Sequence, residues 1–218
     1  MEYLSAILAI GVSFLLGLSF VKYLTIHPLR MSVYLSASCF LFFSLLLLLA
    51  RSFREGQLFP AGLLSFLFFL AGYTIMTHTV LSMEDSRYIP ELKRTKGDPK
   101  HGHTAVIYFT HGEPETYNPI GWINQFREFD AKHVRFVPFI ARPFFLYLLR
   151  KKYLQVGKSN HRQMHLTMLK SLEKKFREEG DTTTKFYIAY LDDEPRPDAA
   201  VIQALNEGAS RIIVCEVF

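Results

Sequence analysis

The chain has little to stitch it covalently and little to draw it to a polyanion. Only two residues are cysteine, Cys39 inside one apolar run and Cys215 in a late one. Neither a disulfide framework nor a cysteine-based metal site follows from a pair so far apart in such different surroundings. Lysine and arginine outnumber aspartate and glutamate by 25 to 20, giving a net charge of +5. No Arg/Lys block with interleaved aromatics occurs, which argues against nucleic acid as a partner. The third deficit says most. No charged residue occurs from Leu4 to Val21 or from Met31 to Ala50, and from Gln57 to Leu81 only His78 could carry charge near neutral pH.

Each uncharged run is long enough to cross a hydrocarbon core of about 30 Å, which takes roughly 20 residues at 1.5 Å per residue. Half of the chain is hydrophobic, and this surplus, concentrated at one end, predicts three transmembrane helices over residues 1–82. The first run lacks a basic n-region and an obvious small-residue cleavage site, and two further spans follow it, so it reads as a span and not as a signal peptide. It is expected to end near Val21-Lys22-Tyr23, with His27-Pro28 making the turn. The second runs from Met31 to Ala50, and the third from about Leu58 to Leu81, with Pro60 tolerated in its first turn. His78, near the end of the third, reads as an interfacial residue, with a haem ligand as the sharper alternative.

Basic residues after the third span, among them Arg87, Lys93, Arg94, Lys96 and Lys100, place the carboxyl-terminal domain in the cytoplasm and the amino terminus outside. Residues 83–102 read as a basic linker, a solvated tether or a segment lying against anionic lipid. Beyond it, residues 103–218 alternate strand and helix. Strands are expected at Ala105–Thr110, Lys185–Tyr190 and Arg211–Phe218, with a short extended piece at Val134–Pro138. Helical spacing covers Ile120–Phe129, Asn160–Glu179 before Gly180, and Pro197–Glu207 before Gly208. An aromatic and aliphatic run, Phe144–Lys152, ends in Arg150-Lys-Lys152. Strands separated by helices imply an α/β domain with a parallel sheet and right-handed crossovers behind a helical membrane anchor.

The order of motifs in this second part resembles the amino-terminal half of a ferrochelatase. Tyr108-Phe-Thr-His-Gly-Glu-Pro-Glu-Thr116 is similar to that family's opening strand and Gly-x-Pro loop. Ile123-Asn-Gln-Phe-Arg-Glu-Phe-Asp130, Val134–Pro138, Arg142-Pro143 and Arg150-Lys-Lys152 resemble its next segment, and Tyr153-Leu-Gln-Val-Gly-Lys-Ser159 resembles its Tyr-x-x-Ile-Gly-Gly-x-Ser signature. Gln163–Phe176 resembles the following helix, and Tyr187–Pro195 with the helix and strand after it resembles the family's second and third strands. Two places depart from the pattern. The signature's turn lacks its proline, reading Lys158-Ser-Asn160, and the second strand leads into Leu191-Asp-Asp-Glu-Pro195, where some members carry a basic or histidine-bearing segment. The family's second half, which holds its catalytic acid, lies outside the resemblance, as do the three spans.

The resemblance implies a flavodoxin-like, chelatase-like α/β half domain and insertion of ferrous iron or a related divalent metal into a porphyrin, both arriving as substrates with no permanently bound cofactor. That chemistry needs a base for the pyrrole protons and ligands that release the ion readily. His111, at the carboxyl end of the first strand, suits either role, because an imidazole titrates near neutrality. Asp192 and Asp193, at the end of the next strand, are the accompanying metal ligands, although they also suit a helix cap. Thr110, Gly112, Pro114, Arg142 and Ser159 are the expected substrate-binding positions, with Arg142, Arg150, Lys151 and Lys152 able to pair with propionates. A basic end to an aromatic run also suits an interfacial anchor. His161 and His165 share a helix face at a spacing able to hold a metal, with no third ligand evident in the sequence. The expected partners are the lipid bilayer, a tetrapyrrole, and a second chelatase half or another copy of the chain. The alternative is a non-catalytic tetrapyrrole-binding or assembly subunit.

Overall fold

The computed structural model describes residues 3–56, 58–84, 89–93, 102–134 and 137–217. Three apolar helices come first: α1 (Leu4–Thr25), α2 (Met31–Arg54) and α3 (Leu58–Leu81). They are long and apolar enough to cross a membrane, and the chain is a membrane protein. α1 runs past Val21-Lys22-Tyr23 to Thr25, and α2 extends through Arg51 to Arg54. An open helix end leaves carbonyls that such flanking residues continue to satisfy, so charge alone does not stop a helix.

α1 and α3 meet backbone to backbone through two glycines. A Cβ on Gly17 would lie 2.3 Å from the Phe69 carbonyl oxygen, and one on Gly72 would lie 2.3 Å from that of Phe14. Small residues let helices approach closely in a bilayer, where apolar side chains gain nothing by leaving lipid. α2 is the least covered of the three. Val33, Leu35, Phe40, Phe42, Phe43, Leu46 and Leu47 all point outward. At about 1.5–3 kcal/mol for each such side chain, water would forfeit on the order of 10–20 kcal/mol on this helix alone. That is comparable to the whole stability of an ordinary domain, which acyl chains covering the helix would recover.

Two further helices, α4 (Ile120–Ala131) and α5 (Arg142–Val156), belong to the same compact unit, which comprises residues 1–84 and 117–155. Its core joins Val21 and Leu24 of α1, Tyr73 and Val80 of α3, Ile123 and Phe126 of α4, and Leu146 of α5. The aromatic run expected at Phe144–Lys152 is thus a helix that begins earlier, at Arg142, after a 3-10 turn over Phe139–Ala141. Val134, Val137 and Pro138 lie outside the sheet; the rest of that expected extended piece falls outside the described residues. Proline at 138 donates no ladder hydrogen bond, which suits the turn better than a strand.

The other compact unit comprises residues 85–116 and 156–218. It holds β1 (His103–Thr110), α6 (His161–Glu178), β2 (Lys185–Tyr190), α7 (Pro197–Asn206) and β3 (Ala209–Val217). The sheet is parallel in the order β2-β1-β3 and does not close. Period-two alternation divides β1 between two helices. Ala105 and Ile107 join Tyr187, Ala189, Ala200 and Ala204 in a core against α7. Tyr108 and Thr110 point the opposite way and meet His165 of α6. On β2, Phe186 takes that face too and packs edge-on against Phe176 of α6 at 5.1 Å.

Most of the expected basic linker lies outside the described residues. Part of it is held. Asn206, at the end of α7, accepts from the Lys93 backbone N–H at 2.8 Å and donates to the Glu91 carbonyl at 3.0 Å.

Candidate functional site

The carboxyl ends of β1 and β2 turn into adjacent loops. The Thr110 carbonyl accepts from Leu191 N–H and the His111 carbonyl accepts from Asp192 N–H, each at 2.9 Å. These bonds carry the β1–β2 pairing one step beyond the sheet and bring His111 opposite Asp192. The His111 Nδ1 lies 3.0 Å from the Asp192 carboxylate, with the imidazole about half exposed. Gly112 follows with φ +78°, the left-handed region that favours glycine, and a Cβ there would lie 2.6 Å from that of Tyr190. The glycine is therefore required twice, by conformation and by space.

Asp193 faces elsewhere. Its carboxylate takes Arg162 Nη1 at 3.3 Å, and that guanidinium also stands over the Tyr190 ring, 5.6 Å from its centre. The two neighbouring aspartates thus point to different partners, and among the described residues no three His, Cys, Asp or Glu side chains converge to hold a metal ion.

Ser159 joins the β1 loop from the other side. Its hydroxyl donates to the Glu113 carboxylate at 2.6 Å, and its backbone N–H donates to the Glu115 carbonyl at 3.1 Å. Gly157, two residues before, has φ +84° with open space around it, so the turn needs the backbone freedom of glycine and no close approach. The loop carrying Gly112 and Pro114 and the turn carrying Ser159 are thus fixed to each other. Glu113 was not among the expected site residues, and no periodicity marks a loop carboxylate that serves a serine many positions later.

Beneath this rim, Tyr108, Thr110, His161 and His165 form a polar layer between β1 and α6. His165 Nδ1 is 2.9 Å from the Tyr108 hydroxyl, and its Nε2 is 3.2 Å from His161 Nε2 and 3.5 Å from Thr110 Oγ1. Burial, and then the neighbouring His161, lower the His165 pKa below the usual imidazole value. Burial raises that of Tyr108. Both groups are therefore neutral at pH 7. Strand alternation and four-residue helical spacing are the sequence signals that place these four on facing surfaces; the pairing of β1 with α6 is what the sequence leaves unspecified.

Arg142 belongs to the other compact unit. Its guanidinium forms a fork with the Asp130 carboxylate, donates to the Val137 carbonyl at 3.2 Å, and stands over the Phe126 ring at 5.0 Å. The hydrogen bonds from Arg142 hold the Asp130 carboxyl below the usual range. Arg150 is buried, with 1% of its surface exposed, and donates to the Tyr23 and Ile26 carbonyls at 2.7 and 2.8 Å. A guanidinium so enclosed ties α5 to the end of α1 and offers nothing to a propionate. The same unit contains a cleft of about 420 Å³ lined by His78, Glu84, Arg127, Asp130, Phe139 and Arg142 among others. His78 Nδ1 is 3.4 Å from the Ser82 hydroxyl there.

No protein-family model, no curated protein and no solved structure matches the chain. Functional reading therefore rests on its own residues.

Proposed function

We propose that this is a membrane-anchored, ferrochelatase-like protein that handles a porphyrin at the bilayer surface, with ferrous iron or a related divalent ion as the second substrate. The observation that carries the reading is the His111–Asp192 pair at the carboxyl ends of adjacent parallel strands. In open α/β sheets ligands gather at that edge, and the 2-1-3 strand order is compatible with the start of a flavodoxin-like arrangement, whose switch point would lie beside the central strand. His111 would take a pyrrole proton, with Asp192 orienting the ring and stabilising the imidazolium that forms. Gly112, Pro114 and Ser159 shape the rim beside it, while Thr110 is buried in the layer beneath. The bilayer supplies the reason for anchoring, since a flat apolar macrocycle partitions there.

On this reading the α/β domain faces the cytoplasm. The site is completed by a second half, from another copy or a separate polypeptide, because β3 leaves Ile213 and Val214 exposed at the open side of the sheet. A second reading, a non-catalytic tetrapyrrole-binding or assembly subunit, is favoured by one observation. Asp193 is engaged by Arg162 and does not join His111 and Asp192. Porphyrin titration of the detergent-purified chain, with ferrous iron added afterwards, separates the two. Binding followed by a metallated spectrum supports the chelatase, and binding without conversion supports the subunit. Absence of saturable binding refutes both.

A further inference from the structure

We propose that His161 and His165 form a two-imidazole site for a divalent transition-metal ion, separate from His111 and independent of the tetrapyrrole reading. The two residues are one helical turn apart on α6, and their Nε2 atoms face each other at 3.2 Å. An ion held at about 2.0–2.1 Å from both nitrogens would subtend an angle of about 100°. That falls between octahedral and tetrahedral values, and with the ring centres 4.4 Å apart a small tilt of the rings would aim both lone pairs at the ion.

The surroundings prepare His165 to be a ligand. The Tyr108 hydroxyl lies 2.9 Å from His165 Nδ1 and 3.7 Å from Met168 Sδ. With Nδ1–H donating to that hydroxyl, Nε2 keeps its lone pair, the usual support of a metal-bound histidine. His165 is 7% exposed and His161 partly buried, so the pair is screened from bulk water on the α6 side that faces β1. A divalent ion takes lone pairs from both, and Thr110 Oγ1, 3.5 Å from His165 Nε2, adds an oxygen donor at the same place. Imidazole nitrogen with a hydroxyl and water suits the iron-to-zinc series, with copper binding most tightly.

The test uses the full chain in detergent, stripped with a chelator and titrated with Zn²⁺ and Co²⁺ against a chromogenic competitor. Saturable binding is expected, with His161→Ala and His165→Gln each removing one equivalent and His27→Ala, an exposed histidine outside both sites, leaving it unchanged. His161 is only partly buried, so its alanine variant is the more certain to fold, and circular dichroism checks that. Cu²⁺ loaded into the unaltered chain is expected to show two coupled imidazole nitrogens by electron paramagnetic resonance. Absence of saturable binding, retention of that equivalent in folded His161→Ala, its loss in His27→Ala, or fewer than two coupled nitrogens would overturn the proposal.

Discussion

Replacing Arg150 by alanine tests how α5 is held to the membrane helices. The guanidinium donates two charge-assisted bonds to the carbonyls of Tyr23 and Ile26 and lies 5.4 and 5.3 Å from the Tyr23 and Tyr147 ring centres. Each bond is worth about 1.5–3 kcal/mol and each ring contact about 0.5–2 kcal/mol. Against them stands desolvation, several kcal/mol for a buried charge, and among the described residues no carboxylate pairs with this one. Among the described residues Nη2 has no hydrogen-bond partner, which adds to the cost of burial. The alanine variant escapes that cost, but it orphans two helix-end carbonyls and leaves the volume of the arginine stem empty. The net loss is about 3 kcal/mol. Amide hydrogen exchange in nanodiscs reads it directly: α5 should open roughly a hundredfold more often, since 1.4 kcal/mol is a factor of ten. Arg150→Met keeps most of the stem's volume without the charge and should lose about half as much. Unchanged protection of α5 in the alanine variant would refute the reasoning.

Gly17→Ala should destabilise the detergent-solubilised protein by about 1–3 kcal/mol through overpacking against the Phe69 carbonyl, whereas Gly11→Ala, with open space around its Cβ, should be neutral or stabilising. Equal melting temperatures for the two variants would contradict the close approach of α1 and α3. Gly112→Ala should cost more than Gly157→Ala. Both have positive φ, at about 1–2 kcal/mol for a non-glycine residue, but only the Gly112 variant drives a methyl group into Tyr190; similar melting shifts would remove the claim that space matters at 112. Cys215 is exposed on β3 while Cys39 lies on the outer face of α2. With a cytoplasmic α/β domain, a membrane-impermeant maleimide should label Cys215 in intact cells only after permeabilisation, and labelling from outside would reverse the orientation.

Long uncharged runs made the spans legible, because the bilayer reads length and polarity without needing tertiary detail. The edges of β2 and the ends of α6 and α7 followed from local signals, Gly180 and Gly208 among them. Contacts distant in sequence were not legible. Nothing near Arg150 marks it as a partner for carbonyls in α1, so a basic cluster at the end of an aromatic run resembled an interfacial anchor. Gly17 and Gly72 were invisible for the same reason, each an ordinary helical glycine until the other is opposite. At the candidate site, placing His111 and Asp192 at the ends of parallel strands was within reach of pattern. The divergence of Asp193 towards Arg162 was not, since adjacent loop residues point to different sides according to backbone detail.

The function proposed here turns most directly on porphyrin binding measured by absorbance in the purified chain and in His111→Ala, with ferrous iron added to each. Saturable binding that the substitution weakens, followed by conversion to the metallated spectrum in the unaltered chain, is the expected result. Binding that is absent, or that is indifferent to His111, would contradict the assignment of the site to the carboxyl ends of β1 and β2.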